Sequence, residues 1–331
     1  MKRIDTIDFV RGLVMIIMAL DHTRDFMHVE SLTGNPLDLE TTTPVLFFSR
    51  WITHFCAPIF VFLSGTSAYI SIRSNNVRQS RNFLLTRGVW LILLEFTVIN
   101  FAVWFDIHFR ILLFQVIAAI GFGFIIIALI MKLPVRILGA IALVIIFGHN
   151  LLSQAMAGGD FLLKPVLSPM VNFTTYQVTP DFIFIIGYPL LPWFGIMLAG
   201  FAAGRLFERQ ADERKRLFLR IGLTTLVLFV VIRFTNYYGD PSLWSVQKNH
   251  LYTLLSFVNT SKYPPSLLFT LMTLGIMFLL LSFTEGVRNK VTGILSVFGK
   301  VPFFYYLVHL YLIHSLTLVI MFLQGFHLSD L

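Results

Sequence analysis

The sequence predicts an all-α protein, a polytopic membrane helix bundle with about nine transmembrane helices. Three observations carry that reading. Hydrophobic residues make up 56% of the 331 and charged residues 13%, where soluble domains carry about 25% charged residues. Several apolar stretches reach about 20 residues, the length at which a helix crosses a bilayer. The strict alternation of a transmembrane barrel is absent, so backbone polar groups inside lipid must be satisfied within helices.

The first span covers residues 8–23. It ends at Asp21-His22 with no small-residue cleavage site, so it reads as a retained helix and not a signal. Span 51–72 holds Pro58 and Gly65, and span 88–105 is bounded by Arg87 and Asp106. Spans 111–131 and 135–153 are separated by the break Lys132-Leu133-Pro134. Span 182–204 carries Pro189, Pro192 and Gly195, residues that kink helices or let them pack closely. Span 217–235 follows the basic run Arg205–Arg216, read as a solvated connector near lipid headgroups. Span 265–284 follows Lys262-Tyr263-Pro264-Pro265-Ser266, where prolines suit a first helical turn. Span 301–324 closes the bundle. No internal repeat is visible, and residues 1–331 read as a single integral-membrane domain.

With a cytoplasmic N-terminus, the inner segments hold 18 of the 25 lysines and arginines, including Lys2 and Arg3. The outer ones hold Arg24, Arg50, Arg110, Lys164, Arg233, Lys248 and Lys262. The positive-inside rule therefore places the N-terminus in the cytoplasm and the C-terminus outside. Topology accounts for the net charge of +8, which is not read as nucleic-acid binding. The single cysteine, Cys56, excludes an intrachain disulfide and a cysteine-based metal cluster. The longer loops, near 24–50, 154–181 and 236–264, lie on the outer side, and long loops on a rigid scaffold are where binding concentrates.

Arg11 and His22 stand about three turns apart on one face of the first span, roughly 16 Å along its axis. Ionisable groups in an apolar span are expensive and usually functional. His22, His28, His54, His108, His149 and His250 fall at outer ends of spans or in outer loops, His309 and His314 lie in the last span, and none sits in a cytoplasmic connector. That bias points to proton transfer at the outer side, although interface capping explains any single one. Asp25 lies on the His22 face and Asp21 is displaced by about 100°. A carboxylate on one ring nitrogen fixes the tautomer and leaves the other nitrogen as base. The plainer reading has both aspartates capping the helix and pairing with Arg24. His309 and His314, about 140° apart on their helix, do not converge, and no metal is expected. Tyr237, Tyr238 and Trp244 are placed to stack on a sugar or to sit at the interface.

Five strings then stand out in order. They are Arg3–Gly12 with Met18 and Asp21-His22, Trp51–Gly65, Tyr188–Gly200, Asn259–Leu268 and Gly299–His309. Together they resemble bacterial relatives of the heparan-alpha-glucosaminide N-acetyltransferase catalytic domain family. The Arg11-to-His22 spacing also resembles that of the wider group of membrane acyltransferases that O-acetylate bacterial polysaccharides. The resemblance implies a transmembrane acyltransferase in a bacterial inner membrane. It would move an acyl group, usually acetyl, from cytosolic acyl-CoA to an amine or hydroxyl of an outer acceptor, a sugar or glycan, without a metal. It implies donor contacts at Arg11, Ser64 and Trp193, and a base at His22 flanked by Asp21 and Asp25. It implies acceptor contacts at Lys262, Tyr263, His149 and Asp181, with Lys262 holding an acidic group or pairing with Asp181. The lysosomal member carries an asparagine where His22 falls and its active histidine farther along, so His28 stays open as an alternative base. Membrane lipid is a further partner, and the oligomeric state is not set. A proton-coupled transporter, which predicts inverted repeats, and a non-catalytic membrane protein are the alternative readings.

Overall fold

The computed structural model describes residues 4–28, 34–73, 75–158 and 163–327. Lys2 and Arg3, and residues 29–33 and 159–162 of the loops expected on the outer side, lie outside the described residues.

Helix α1 spans Asp5–Met27, with Asp5 and Asp8 in its first turn and Arg24 in its last, a distribution that complements the helix dipole. The second expected span is two helices, α2 (Pro44–Thr53) and α3 (Cys56–Ile72). Pro58 falls in the first turn of α3, where its missing N–H costs no intrahelical bond. Helix α4 (Val77–Leu94) begins well before residue 88 because the Asn76 side chain caps it, accepting from the Gln79 amide at 2.9 Å. A π-turn over Glu95–Ile99 leads into α5 (Asn100–Trp104). In the turn that follows, Arg110 and the amides of His108 and Arg110 hold the Asp106 carboxyl down at about 2.

The protein is not wholly α. Two runs expected to open helices are strands: β1 (Ile111–Phe114) and β3 (Phe182–Ile186) pair in parallel, and β2 (Thr174–Thr179) joins β3 antiparallel. Every residue of β3 and both end residues of β1 are β-branched or aromatic and fit a pleated surface. Pro189 also keeps the run before it extended. Helices α6 (Val116–Ile130) and α9 (Leu190–Ala203) follow these strands. Pro192 lies in the first turn of α9, so this proline starts a helix instead of kinking one. The remaining helices are α7 (Val135–Gly158), α8 (Lys164–Val171), α10 (Ala211–Thr235), α11 (His250–Val258), α12 (Leu267–Thr284), α13 (Lys290–Lys300) and α14 (Pro302–Leu323).

Among the described residues, 7 helical stretches are long and apolar enough to cross a membrane: Pro44–Ile72, Val77–Trp104, Val135–Met156, Leu190–Glu208, Ala211–Thr235, Leu267–Thr284 and Pro302–Leu323. Helices α1 and α6 occupy the other two expected positions. The first carries Asp8, Arg11 and Asp21 within its apolar run, and the second has only 15 residues.

The helices pack most extensively in the pairs α10–α12, α3–α9, α4–α6 and α1–α13. Glycines sit at each crossing. A β-carbon on Gly12 would collide with the Leu295 carbonyl, and one on Gly299 with the Asp8 carbonyl. Gly65 and Gly200 do the same for α3 and α9, while Gly88 faces Gly121 and Gly222 faces Gly275. Small residues let backbones meet where lipid offers no hydrophobic drive for association.

Between α10 and α12 the chain winds around Arg233, which is 1% exposed. Its guanidinium donates to the carbonyls of Phe257 (2.9 Å), Ser242 (2.7 Å), Ser256 (2.9 Å) and Asn259 (2.7 Å). Asp240 accepts from the Ser242 amide (2.8 Å), the Ser261 amide (2.9 Å) and the Ser266 hydroxyl (2.5 Å). Trp244 packs on Phe257 and donates to the Arg233 carbonyl at 2.9 Å, so it is part of this loop's core and not a free sugar platform. Near the far ends of α10 and α12, Arg214 donates to both carboxylate oxygens of Glu285, at 2.8 and 2.5 Å.

Two outcomes follow from this packing. Gly299→Ala should cost about 1–3 kcal/mol, the usual range for overpacking, and lower the melting temperature in detergent. Gly293→Ala on the same helix meets nothing within 4 Å and should leave it unchanged. Arg233→Met leaves four carbonyls without their donor and should expose residues 236–264 to limited proteolysis while the helical circular dichroism persists.

Candidate active site

Three of the cavities along α1 are lined by residues expected at the site. The central one, about 450 Å³, is lined by His22 together with Asp21, Asp25, Tyr188, Lys262, Tyr263 and Tyr306. A vestibule of about 450 Å³ adjoins it and shares Asp25, Lys262 and Tyr263. Toward the other end of α1 lies a notch of about 90 Å³, lined by Arg11, Ser64, Ser67, Ser71 and Arg87. Phe60 lines both the notch and the central cavity.

His22 is fixed by a second histidine. Its Nδ1 lies 2.7 Å from Nε2 of His309. The ring centroids are 4.9 Å apart and the planes differ by 7°, which places the rings edge to edge in nearly one plane. His309 Nδ1 is 2.8 Å from the Tyr305 carbonyl. A carbonyl only accepts, so His309 Nδ1 carries hydrogen and its Nε2 accepts. His22 must then donate through Nδ1, which leaves the lone pair on Nε2. The assignment comes from the hydrogen-bond network. Tyr306 packs edge-on against His22, with centroids 6.2 Å apart. No carboxylate was needed to select the tautomer expected from sequence. A histidine 287 residues away does it.

Asp21 is turned into a cationic cluster. Its carboxylate accepts from Arg24, from Arg50 at 2.6 Å and from Thr53 at 2.8 Å, and Lys262 Nζ lies 3.9 Å away. Asp25 pairs with Arg24 at 2.8 Å and approaches Arg50 to 3.8 Å. The pairing of the aspartates with Arg24 is therefore present, joined by Arg50 and Lys262, which no local spacing brings there. Lys262 pairs with Asp21 and not with Asp181, which is exposed on the β2–β3 turn near Arg110.

The other expected residues divide. Arg11 donates to Ser67 Oγ (2.5 Å) and to the carbonyls of Gly299 (3.3 Å) and Leu63 (3.4 Å). It thus lines the notch while tying α1 to α3 and α13. Ser64 lines the same notch, its hydroxyl donating to the Phe60 carbonyl at 2.8 Å. Trp193 is 1% exposed and packs on Tyr188 at 4.7 Å, behind the cavity wall. His149 is held between the carbonyls of Ile145 (3.0 Å) and Pro265 (2.8 Å), bracing the segment that carries Tyr263 without lining the cavity. His28 is exposed at the end of α1 and lines neither the central cavity nor the vestibule. His54, 2% exposed, lines the vestibule with its Nδ1 unpartnered among the described residues. His314 bonds the Ala102 carbonyl at 2.9 Å and stays apart from His309 in role. Among the described residues, no group of three His, Cys, Asp or Glu side chains is arranged to hold a metal.

An apolar helical bundle with a part-buried histidine dyad in a central cavity has the layout of a membrane transferase. The family described as heparan-alpha-glucosaminide N-acetyltransferase, catalytic, matches residues 3–245. That is well over half of the chain, which belongs to this family, and the family is one of membrane acetyltransferases. No curated protein matches the sequence. The matched residues hold Arg11, His22 and Trp193; Lys262, Tyr263 and His309 lie beyond them.

The dyad makes a direct spectroscopic prediction. With ring nitrogens labelled, His22 should show the Nδ1–H tautomer by two-bond proton–nitrogen correlation. His309→Ala should shift it toward the Nε2–H form, which is otherwise the more common one in free imidazoles.

Proposed function

We propose that the protein is an acyl-CoA-dependent acyltransferase of the inner membrane. It takes acetyl from cytosolic acetyl-CoA and passes it to an amine or hydroxyl of an acceptor, a sugar or glycan, at the outer face. The observation that carries this reading is the line of two cavities meeting at Phe60, with Arg11 at one end and His22 at the other. Family membership supports the acetyl group and the CoA donor. The distribution of Lys and Arg supports a cytoplasmic Arg11 end and an outer His22 end.

The chemistry follows from the dyad. The acyl thioester reaches from the notch past Phe60, with Arg11, Ser64 and Ser67 toward the CoA side. CoA is anionic, and Arg11 and Arg87 give the notch a positive lining. In the central cavity, His22 Nε2 takes the proton as the acceptor's nitrogen or oxygen attacks the thioester carbonyl carbon. The tetrahedral intermediate collapses with cleavage of the C–S bond. The CoA thiolate leaves and takes back that proton from His22 Nε2, so the base is regenerated. His309 keeps Nδ1–H engaged throughout and holds the ring in place. Asp21, with Arg24, Arg50 and Lys262 on it, is poorly placed to act as a base and serves to anchor these cations at the cavity rim.

Acetyl-CoA should raise the melting temperature of the purified protein in proportion to the logarithm of its concentration. No shift, confirmed by calorimetry, would sink the acyltransferase reading. His22→Ala should keep that shift yet lower transfer at least about 10²-fold, the low end for losing a general base. His28→Ala should leave transfer nearly unchanged; the reverse pattern would move the base to His28.

A further inference from the structure

We infer that the acceptor is carried on a hydrocarbon chain and reaches His22 sideways from the outer leaflet, through an apolar arm of the central cavity. The inference rests on the acyltransferase reading and adds the class of acceptor.

The cavity has two chemistries in one space. Asp21, Asp25, Lys262 and Tyr263 make one end polar. On the other side of His22 the wall is Phe26, Trp104, Leu310, Leu318 and Met321, with His314 and Thr317 among them, contributed by α1, α5 and α14. That arm does not end in the protein core. Trp104 lines it and is 39% exposed, and next to it on α14 Leu316 and Val319 are 49% and 52% exposed. Residues 316–323 of α14 contain no charged side chain, and α14 is one of the helices long and apolar enough to cross a membrane. The rim therefore faces lipid, not water.

A free sugar gains little from such a wall: the Thr317 hydroxyl and His314 Nδ1 are committed to the Ile313 and Ala102 carbonyls, and apart from His314 Nε2 the rest offers its hydroxyls no partner in exchange for water. A hydrocarbon chain fits it. The arm also lies on the far side of His22 from the notch through which the donor arrives, and the two carbons of an acetyl group leave it empty. An amphiphile satisfies both ends at once. Its polar head meets the ion cluster, its chain lies in the arm, and its nucleophile stands at His22 where the two surfaces join. Access from the bilayer also explains why a polar reaction site has an apolar flank that opens between transmembrane helices.

The test uses the full chain in nanodiscs and n-octyl β-glucoside bearing a diazirine at the chain end. Photolysis should label peptides of α5 and α14 around Trp104, Leu318 and Met321. Unlabelled octyl glucoside should protect them and methyl glucoside should not. Leu318→Trp, or Met321→Trp, fills the arm. Labelling should fall at least about tenfold, as expected when two methylenes worth roughly fourfold each lose their site, while the acetyl-CoA melting shift persists and shows that the variant is folded. Equal protection by methyl glucoside, or labelling spread evenly over the lipid-facing side of α10 and indifferent to Leu318→Trp, would overturn the inference. So would a variant that loses octanoyl-CoA binding but keeps octyl glucoside labelling, since the arm would then hold the donor's acyl chain. A wild-type protein that labels as expected but shows no acetyl-CoA shift would count against the acyltransferase reading and leave the arm's preference standing.

Discussion

Charge buried in an apolar bundle has to be matched by other groups, and α1 concentrates that demand in one helix. At one end Arg11 is matched by Ser67, the Leu63 carbonyl and the Gly299 carbonyl. At the other, Asp21 is matched by Arg24, Arg50, Thr53 and Lys262. These partners come from α2, α3, α13 and the segment before α12. Elements distant in sequence are thus gathered around α1, and the glycine contact of Gly12 with Gly299 allows α13 to come close enough. With both ends pinned, α1 has little freedom to rotate, and His22 is aimed into the cavity as a consequence.

The electrostatics of the site separate holding from reacting. Asp21 faces three cations, which take up its carboxylate oxygens. His22 has an uncharged neighbour on Nδ1. A carboxylate there would stabilise the imidazolium and hold the proton more tightly. An imidazole partner orients the ring without adding that charge, which suits the role proposed for His22, a base that gives its proton back to a thiolate. Removing Asp21 alone would leave Arg24, Arg50 and Lys262 crowded at the rim, so its loss would be felt as repulsion among cations before any effect on proton transfer.

The apolar spans were legible because length and hydropathy alone mark them. The strands were not, since a short apolar run such as Phe182–Ile186 reads the same as the start of a buried helix. Helix α13 is amphipathic and too short for a span, yet it carries a signal in the reciprocal capping of Asn289 and Thr292. The Arg11–His22 face was visible from spacing within one helix. His309 was visible only as the end of a family-like string, because its contact with His22 joins opposite ends of the chain. Arg50 and Lys262 read as outer-side charges; that both converge on Asp21 depends on the α2–α3 break and on the fold of the loop before α12, neither of which has a local spacing to reveal it.

Arg233 is solvated by four backbone carbonyls, much as a cation is held in a macrocyclic ether. The chain from Ser242 to Asn259 is the ring, and the guanidinium is the guest that gives the ring its shape. Two of those carbonyls close the end of α11 and two belong to the loops beside it. The strand of residues that continues from Asn259 to Lys262 and Tyr263 therefore inherits its position from a template outside the site. The ring needs a guest that is planar, charged and rich in donors, which a lysine is not.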